Sequence, residues 1–189
     1  MKTLVIHPHD SSTHFLRPIY ENIPNKTVIT GGMNVNNIKH LIIDHDRVIM
    51  LGHGSPGGLF GIGFGSSYVI DHSLVPYLKE KKDNNIYIWC NADKFIAKHN
   101  LEGFYSGMFI SEVGEAKMYN YYCSQSIVDE SNNAFAQLLG MHANKHIDKL
   151  YEGIKEDYSW VGDINEIAKF NSERLYFKTS VRAEQPFYI

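Results

Sequence analysis

Arg47-Val48-Ile49-Met50-Leu51-Gly52-His53-Gly54 runs from an apolar stretch straight into a glycine-flanked histidine. Val48 to Leu51 do not alternate with polar residues, which is the pattern of a strand covered on both faces. Such strands belong to parallel sheets, whose carboxyl-end loops gather at one edge, where ligands bind. A second stretch of the same form, Ile86-Tyr87-Ile88-Trp89-Cys90, ends on a cysteine. Two residues with strong chemistry, His53 and Cys90, therefore follow directly on predicted buried strands. The interval between them holds a hairpin, a helix and a return strand.

Outward from this pair, short apolar runs alternate with amphipathic ones. Thr3 to His7 read as a first strand ended by Pro8, and Thr27 to Thr30 as a second, stopped by Gly31 and Gly32. Residues 12–22 place Phe15, Leu16, Ile19 and Tyr20 on one helical face, interrupted by Pro18. Asn34 is placed to cap a helix carrying Ile38, Leu41 and Ile42. Leu59 to Phe64 and Tyr68 to Ile70 suit a hairpin turning at Gly65-Ser66-Ser67. Asp71 to Lys82 and Asp93 to Leu101 read as helices, Gly107 to Ser111 as a fifth strand, and Glu112 to Tyr122 as a helix. Ser126-x-x-Asp129 has the form of a capping box before a long helical pattern, and Asp163-x-x-Glu166 that of a cap for the last helix. Leu175 onward reads as strand or coil.

This alternation predicts an α/β fold with a mostly parallel central sheet and helices on both faces. The 189 residues fit a single domain, residues 1–189, with 126–189 as a helical C-terminal portion. Hydrophobic residues make up 43%, enough for a core, and the net charge of −3 gives no basic field for nucleic acid. The apolar stretch near Met1 is too short for a signal-peptide core, and no run suits a membrane span. Two cysteines make no disulfide framework, so the expectation is a cytoplasmic protein without nucleic-acid or membrane partners.

Neighbouring parallel strands lie about 4.8 Å apart, so His53 and Cys90 at adjacent strand ends would share one small area. An imidazole there can take the thiol proton, and the thiolate is the nucleophile. Gly54 lacks a Cβ, so a substrate carbonyl could approach its N–H and that of Cys90 as an oxyanion hole.

Leu51-Gly52-His53-Gly54-Ser55-Pro56-Gly57-Gly58-Leu59-Phe60-Gly61 resembles the caspase segment around the His-Gly pair, and Ile86 to Asn91 resembles the strand that ends in the nucleophile. This two-part pattern is shared by caspases, metacaspases, gingipains, legumains and CHAT-domain peptidases. The resemblance implies a caspase-like (flavodoxin-like) topology. It also implies a cysteine endopeptidase, a hydrolase acting on peptide or protein substrates through a thioester. In it His53 is acid/base, Cys90 the nucleophile, and Gly54 with Cys90 the oxyanion donors. No cofactor or metal is implied; an activating partner or ligand is expected. Asn91-Ala92 stands where caspases carry Arg-Gly, which argues against aspartate specificity. Arg17 and Asp93 are the candidates for lining the specificity edge.

Two further expectations stand beside this one. A non-proteolytic domain of the same fold would bind a peptide or nucleotide signal at the same edge. A metal-dependent hydrolase would use His7 and His9, joined by His53 and Asp93. Gly52 to Gly57 match G-x-G-x-x-G with Asp71 downstream, but a dinucleotide site needs a helix to start there. Gly58, Gly61, Gly63 and Gly65 follow instead, each costing about 1 kcal/mol in a helix. His142 and His146 lack the glutamate of a metalloprotease helix. Cys123 reads as structural, Tyr119, Tyr121 and Tyr122 as packing against the sheet, and Lys79 to Asp83 as a solvated helix end.

Overall fold

The computed structural model describes residues 1–32, 34–62, 67–81 and 84–180. The chain begins with β1 (Thr3–Ile6), a 3-10 turn over Ser11–Leu16, α1 (Pro18–Glu21), β2 (Lys26–Ile29), α2 (Val35–Asp44) and β3 (Arg47–Leu51). Three short strands follow: β4 (Gly54–Ser55), β5 (Gly58–Phe60) and β6 (Tyr68–Ile70). After a turn at His72–Leu74 come α3 (Val75–Lys79), β7 (Ile86–Ile88), α4 (Ala92–His99), β8 (Gly103–Ser106) and α5 (Val113–Met118). Three helices, α6 (Gln125–His142), α7 (Ile147–Gly162) and α8 (Glu166–Ser172), precede β9 (Leu175–Lys178).

Six strands form the central sheet in the order β2-β1-β3-β7-β8-β9. The first five are parallel and β9 runs antiparallel to β8. The fold class is thus α/β with a mostly parallel sheet. Its first five positions follow the doubly wound order in which the crossover direction reverses between β1 and β3. Val5, Ile49, Leu51, Ile86, Ile88 and Phe104 pack on α1, α6 and α7 through Ile19, Phe135, Leu139 and Ile154. On the other face Leu4, Ile6, Val48, Met50, Tyr87 and Trp89 meet α2, α3 and α4. Both faces of the sheet are covered, which is why its strands are continuous apolar runs. No helix among the described residues is long and apolar enough to cross a membrane.

Several boundaries differ from the sequence reading for local reasons. The 12–22 stretch breaks at Arg17, because Pro18 starts a new helix at its first position, where a missing N–H costs nothing. The Asp71–Lys82 stretch shortens to a 3-10 turn and α3; Lys82 and Asp83 lie outside the described residues, as do Gly63 to Ser66 of the predicted hairpin. Strand β4 joins β5 and β6 in a small antiparallel sheet. The fifth strand is Gly103–Ser106, not Gly107–Ser111. Ile110 in that loop gives its N–H to Asn171 Oδ1 (2.8 Å) and takes Asn171 Nδ2 on its carbonyl (2.9 Å). A side chain thus meets the hydrogen-bonding demand that a neighbouring strand would otherwise meet.

The predicted capping boxes also move. Ser126 and Asp129 lie inside α6, whose N-cap is Ser124. Asn165, not Asp163, caps α8 by accepting from Ile167 N and Ala168 N at 3.0 Å each. The reciprocal box is Glu112 with Glu115 at the start of α5. Tyr119 and Tyr121 pack on Phe170 of α8 rather than on the sheet.

Candidate functional site

The carboxyl ends of β1 and β3 flank the point where the strand order reverses. After β1 the chain keeps pairing with the end of β2, His7 N donating to Ile29 O (2.9 Å) and His9 N to Thr30 O (2.8 Å). Asp10 then caps the 3-10 turn, accepting from Ser12 N (2.9 Å) and Ser12 Oγ (2.7 Å) on Oδ1. These bonds from Ser12 hold the Asp10 carboxyl below its usual range, with a smaller contribution from His53. Ser12 Oγ also lies 2.7 Å from His53 Nε2. The single hydroxyl proton is committed to Asp10, so His53 Nε2–H is the donor and Ser12 the acceptor. An imidazole–hydroxyl–carboxylate chain therefore bridges the ends of β1 and β3.

Gly54 follows in β4, paired with Leu59. A Cβ there would overlap the Trp89 ring and the Gly58 carbonyl, so packing requires the glycine. Gly58, at φ +141°, lies so close to the Ile70 carbonyl that no side chain fits. Trp89 is buried, and its Nε1 donates to Ser55 O (3.1 Å), fastening the small sheet to the large one.

Cys90 ends β7 as expected, with Asn91 turning the chain into α4 at φ 66°, a conformation asparagine tolerates. His53 and Cys90 border one crevice with Phe15, Phe109 and Ser111. At about 20 Å³ it holds a single water at most. The thiol points to other partners: Sγ lies 3.4 Å from Phe109 O and 3.8 Å from Glu115 Oε1. Glu115 Oε2 accepts from Ser111 N (2.7 Å), Ser111 Oγ (3.1 Å) and Glu112 N (3.1 Å), which fixes a carboxylate beside the sulfur. Burial, then the charge of Glu115, pushes the Cys90 thiol up to about 12.

These facts correct the peptidase expectation. A cysteine hydrolase needs a thiolate favoured by a neighbouring cation, whereas this half-buried thiol faces a carboxylate. His53 is tied to Ser12, and the crevice excludes a peptide. An oxyanion hole at Gly54 and Cys90 has no acyl-enzyme to serve. The thiol-protease and hydrolase assignments fall with it.

The metal expectation fails on geometry as well. Both ring nitrogens of buried His7 are engaged, Nδ1 with Tyr20 OH (3.1 Å) and Nε2 with Thr13 Oγ1 (3.2 Å). No group of three metal-ligating side chains occurs among the described residues. His142 and His146 are not brought together either. His142 bonds Asp157 (2.6 Å) and Lys145 (2.7 Å), and His146 bonds Asp148 (2.7 Å). Cys90 and Cys123 are both free thiols.

The larger cavity lies beside the crevice and shares Phe15 and Ser111 with it. This cleft of about 560 Å³ is framed by Ser11 and Ser12, the start of α5 and the first half of α6. Its volume is in the range of small-ligand sites. Glu112 and Asp129 supply carboxylates to its walls, and among the described residues no lining side chain is cationic. Asn132, 4% exposed, gives its Nδ2 to Ser111 O (2.9 Å) while its Oδ1 has no hydrogen-bond partner. The sequence reading missed Ser12, Glu115, Asp129 and Asn132. The Glu112-x-x-Glu115 spacing is a legible capping signal, and Asp129 stands out locally only as a helix cap; nothing local marks Ser12 or Asn132, and the cleft forms only when α6 folds back over the sheet edge.

No family model and no curated protein matches the chain. Among solved structures it is similar to an NADPH-quinone reductase from P. pentosaceus. That likeness has a TM-score of 0.29 and 14% identity, and covers 83% of this chain and 98% of that one.

Proposed function

We propose that this chain is a non-proteolytic recognition domain of caspase-like arrangement that binds a peptide presenting a basic side chain at the edge of its parallel sheet. The observation that carries this reading is the cleft wall: the carboxylates of Glu112 and Asp129, with no cationic residue beside them among the described residues. Carboxylates without a neighbouring cation favour a positively charged donor group. The same charge argues against a nucleotide, whose phosphates these carboxylates would repel. His53, held through Ser12 at the cleft margin, serves recognition, and the protonated Cys90 belongs to the wall behind it. The strand-end placement of His53 and Cys90 on neighbouring strands supports the caspase-like arrangement. Cysteine usage is in keeping with a reducing, cytoplasmic setting.

The test is an NMR titration of the full chain with a short peptide carrying one central arginine, against the same peptide carrying glutamine or glutamate there. The arginine peptide is expected to bind saturably, shifting the amides of Ser12, Ser111 and Asn132. Asp129→Asn should weaken it about tenfold, the loss of one charge-assisted bond. Equal binding of all three peptides, or none of the arginine peptide, would remove this function.

A further inference from the structure

Beside the Ser11–Leu16 turn lies a second hollow, which shares no lining residue with the cleft. It has a volume of about 150 Å³ and is lined by His9, His14, Arg17, Thr30 and the buried pair His7 and Tyr20, with Pro8 between them. Among the described residues no carboxylate lines it. The local structure explains the convergence. The bond from His9 N to Thr30 O holds His9 beside the end of β2, while the helical turn puts His14 and Arg17, three apart, on one side. The rings of His9 and His14 meet at 5.0 Å, with His14 Nε2 3.4 Å from His9 Nδ1. Among the described residues Arg17 has no ion pair.

We propose that this hollow binds a tetrahedral oxyanion, a phosphate group either free or carried on an ester, through Arg17, His9 and His14.

Three observations converge on that chemistry. The first is the donor set: a guanidinium matched to oxyanions, two imidazoles and the Thr30 hydroxyl, without an acid among them. The second is the floor. Thr13 Oγ1 donates to Asp10 O (3.1 Å), so His7 Nε2–H donates to Thr13 and Tyr20 OH donates to His7 Nδ1. His7 is thereby fixed as a neutral ring. Burial lowers it to about 4 against the opposing bond with Thr13, with smaller contributions in the same direction from His14, Arg17 and His9. The nearest acid on the same segment, Asp10, has its Oδ1 turned to Ser12. The third is size. At roughly 30 Å³ per water-sized group the hollow admits about five such groups. That suits one oxyanion with its waters and is below the ~300 Å³ of drug-sized ligand sites. The His9–His14 bond uses one ring nitrogen of each, leaving the other nitrogen of each for an anion beside the pair.

Calorimetry and imidazole NMR on the full chain, with inorganic phosphate and with O-phosphoserine at matched ionic strength, test the site. Saturable binding is expected, with the ring signals of His9 and His14 moving and those of His142 and His146 still. Arg17→Gln should weaken it about tenfold or more, and the exposed position lets the fold persist, as circular dichroism would verify. Tighter binding of O-phosphoserine assigns an ester-borne phosphate; equal or tighter binding of inorganic phosphate assigns the free anion. Asp129→Asn, in the other cleft, should leave either affinity unchanged. The proposal is overturned if chloride produces the same shifts, if no saturation is reached, or if Arg17→Gln binds as well as the parent chain.

Discussion

Cys90 shows how far one side chain's chemistry depends on what stands beside it. A strand-end thiol is a nucleophile or a wall atom according to whether its neighbour is a cation or an anion, and here Glu115 decides. A folded-state value near 12 lies above that of a free thiol near 8.5, so Cys90 stays protonated through neutral pH and releases its proton only as pH rises toward 12. Iodoacetamide followed by peptide mapping should therefore label Cys90 at least about tenfold more slowly than Cys123, with the Cys90 rate still climbing above pH 10. Glu115→Gln removes the adjacent charge and should speed Cys90 labelling. Faster labelling of Cys90 than of Cys123 at pH 7 would show that the sulfur is activated after all.

At the scale of elements, the loop from Gly107 to Ser111 matters most, because it carries the carbonyl of Phe109 behind Cys90 and the Ser111 edge of the cleft. It has no strand partner, and α8 holds it through both atoms of the Asn171 amide. Asn171 is fully buried, and its Nδ2 also reaches Ser131 Oγ (3.5 Å) on α6. Asn171→Ala leaves the Ile110 N–H and carbonyl without partners inside the protein, each costing about 1–3 kcal/mol. Urea unfolding should register a loss of about 2–4 kcal/mol, and hydrogen exchange at the Ile110 amide should accelerate more than at β7 or β8. An unchanged midpoint would mean that water replaces the amide at no cost. The apolar run 107–111 reads as a strand because periodicity cannot tell a backbone paired by a strand from one paired by a side chain.

For the whole molecule, Phe135 of α6 packs against Phe109 at 4.6 Å and Tyr158 of α7 at 5.5 Å, joining the sheet edge to the helical layer. Truncation there removes contacts shared by both, so Phe135→Ala should cost about 3–5 kcal/mol. Far-ultraviolet circular dichroism and tryptophan fluorescence (Trp89 under the sheet, Trp160 on α7) should then report one coincident transition. Two separated transitions would divide the C-terminal helices from the sheet as an independent unit. The sequence by itself determined the α/β class, strands β1, β2, β3 and β7, and the Asn34 cap, since periodicity, β-branched runs and caps act within a few residues and leave their mark there. It also put His53 and Cys90 at strand ends, and the pairing of β3 with β7 made those ends neighbours. Only the tertiary structure decided what those ends do. It turned the sulfur toward Glu115, tied the imidazole to Ser12, and set His9, His14 and Arg17 around one hollow. Proton affinity and hydrogen-bond satisfaction are fixed by whichever groups long-range packing brings within a few ångströms, and no local pattern records that.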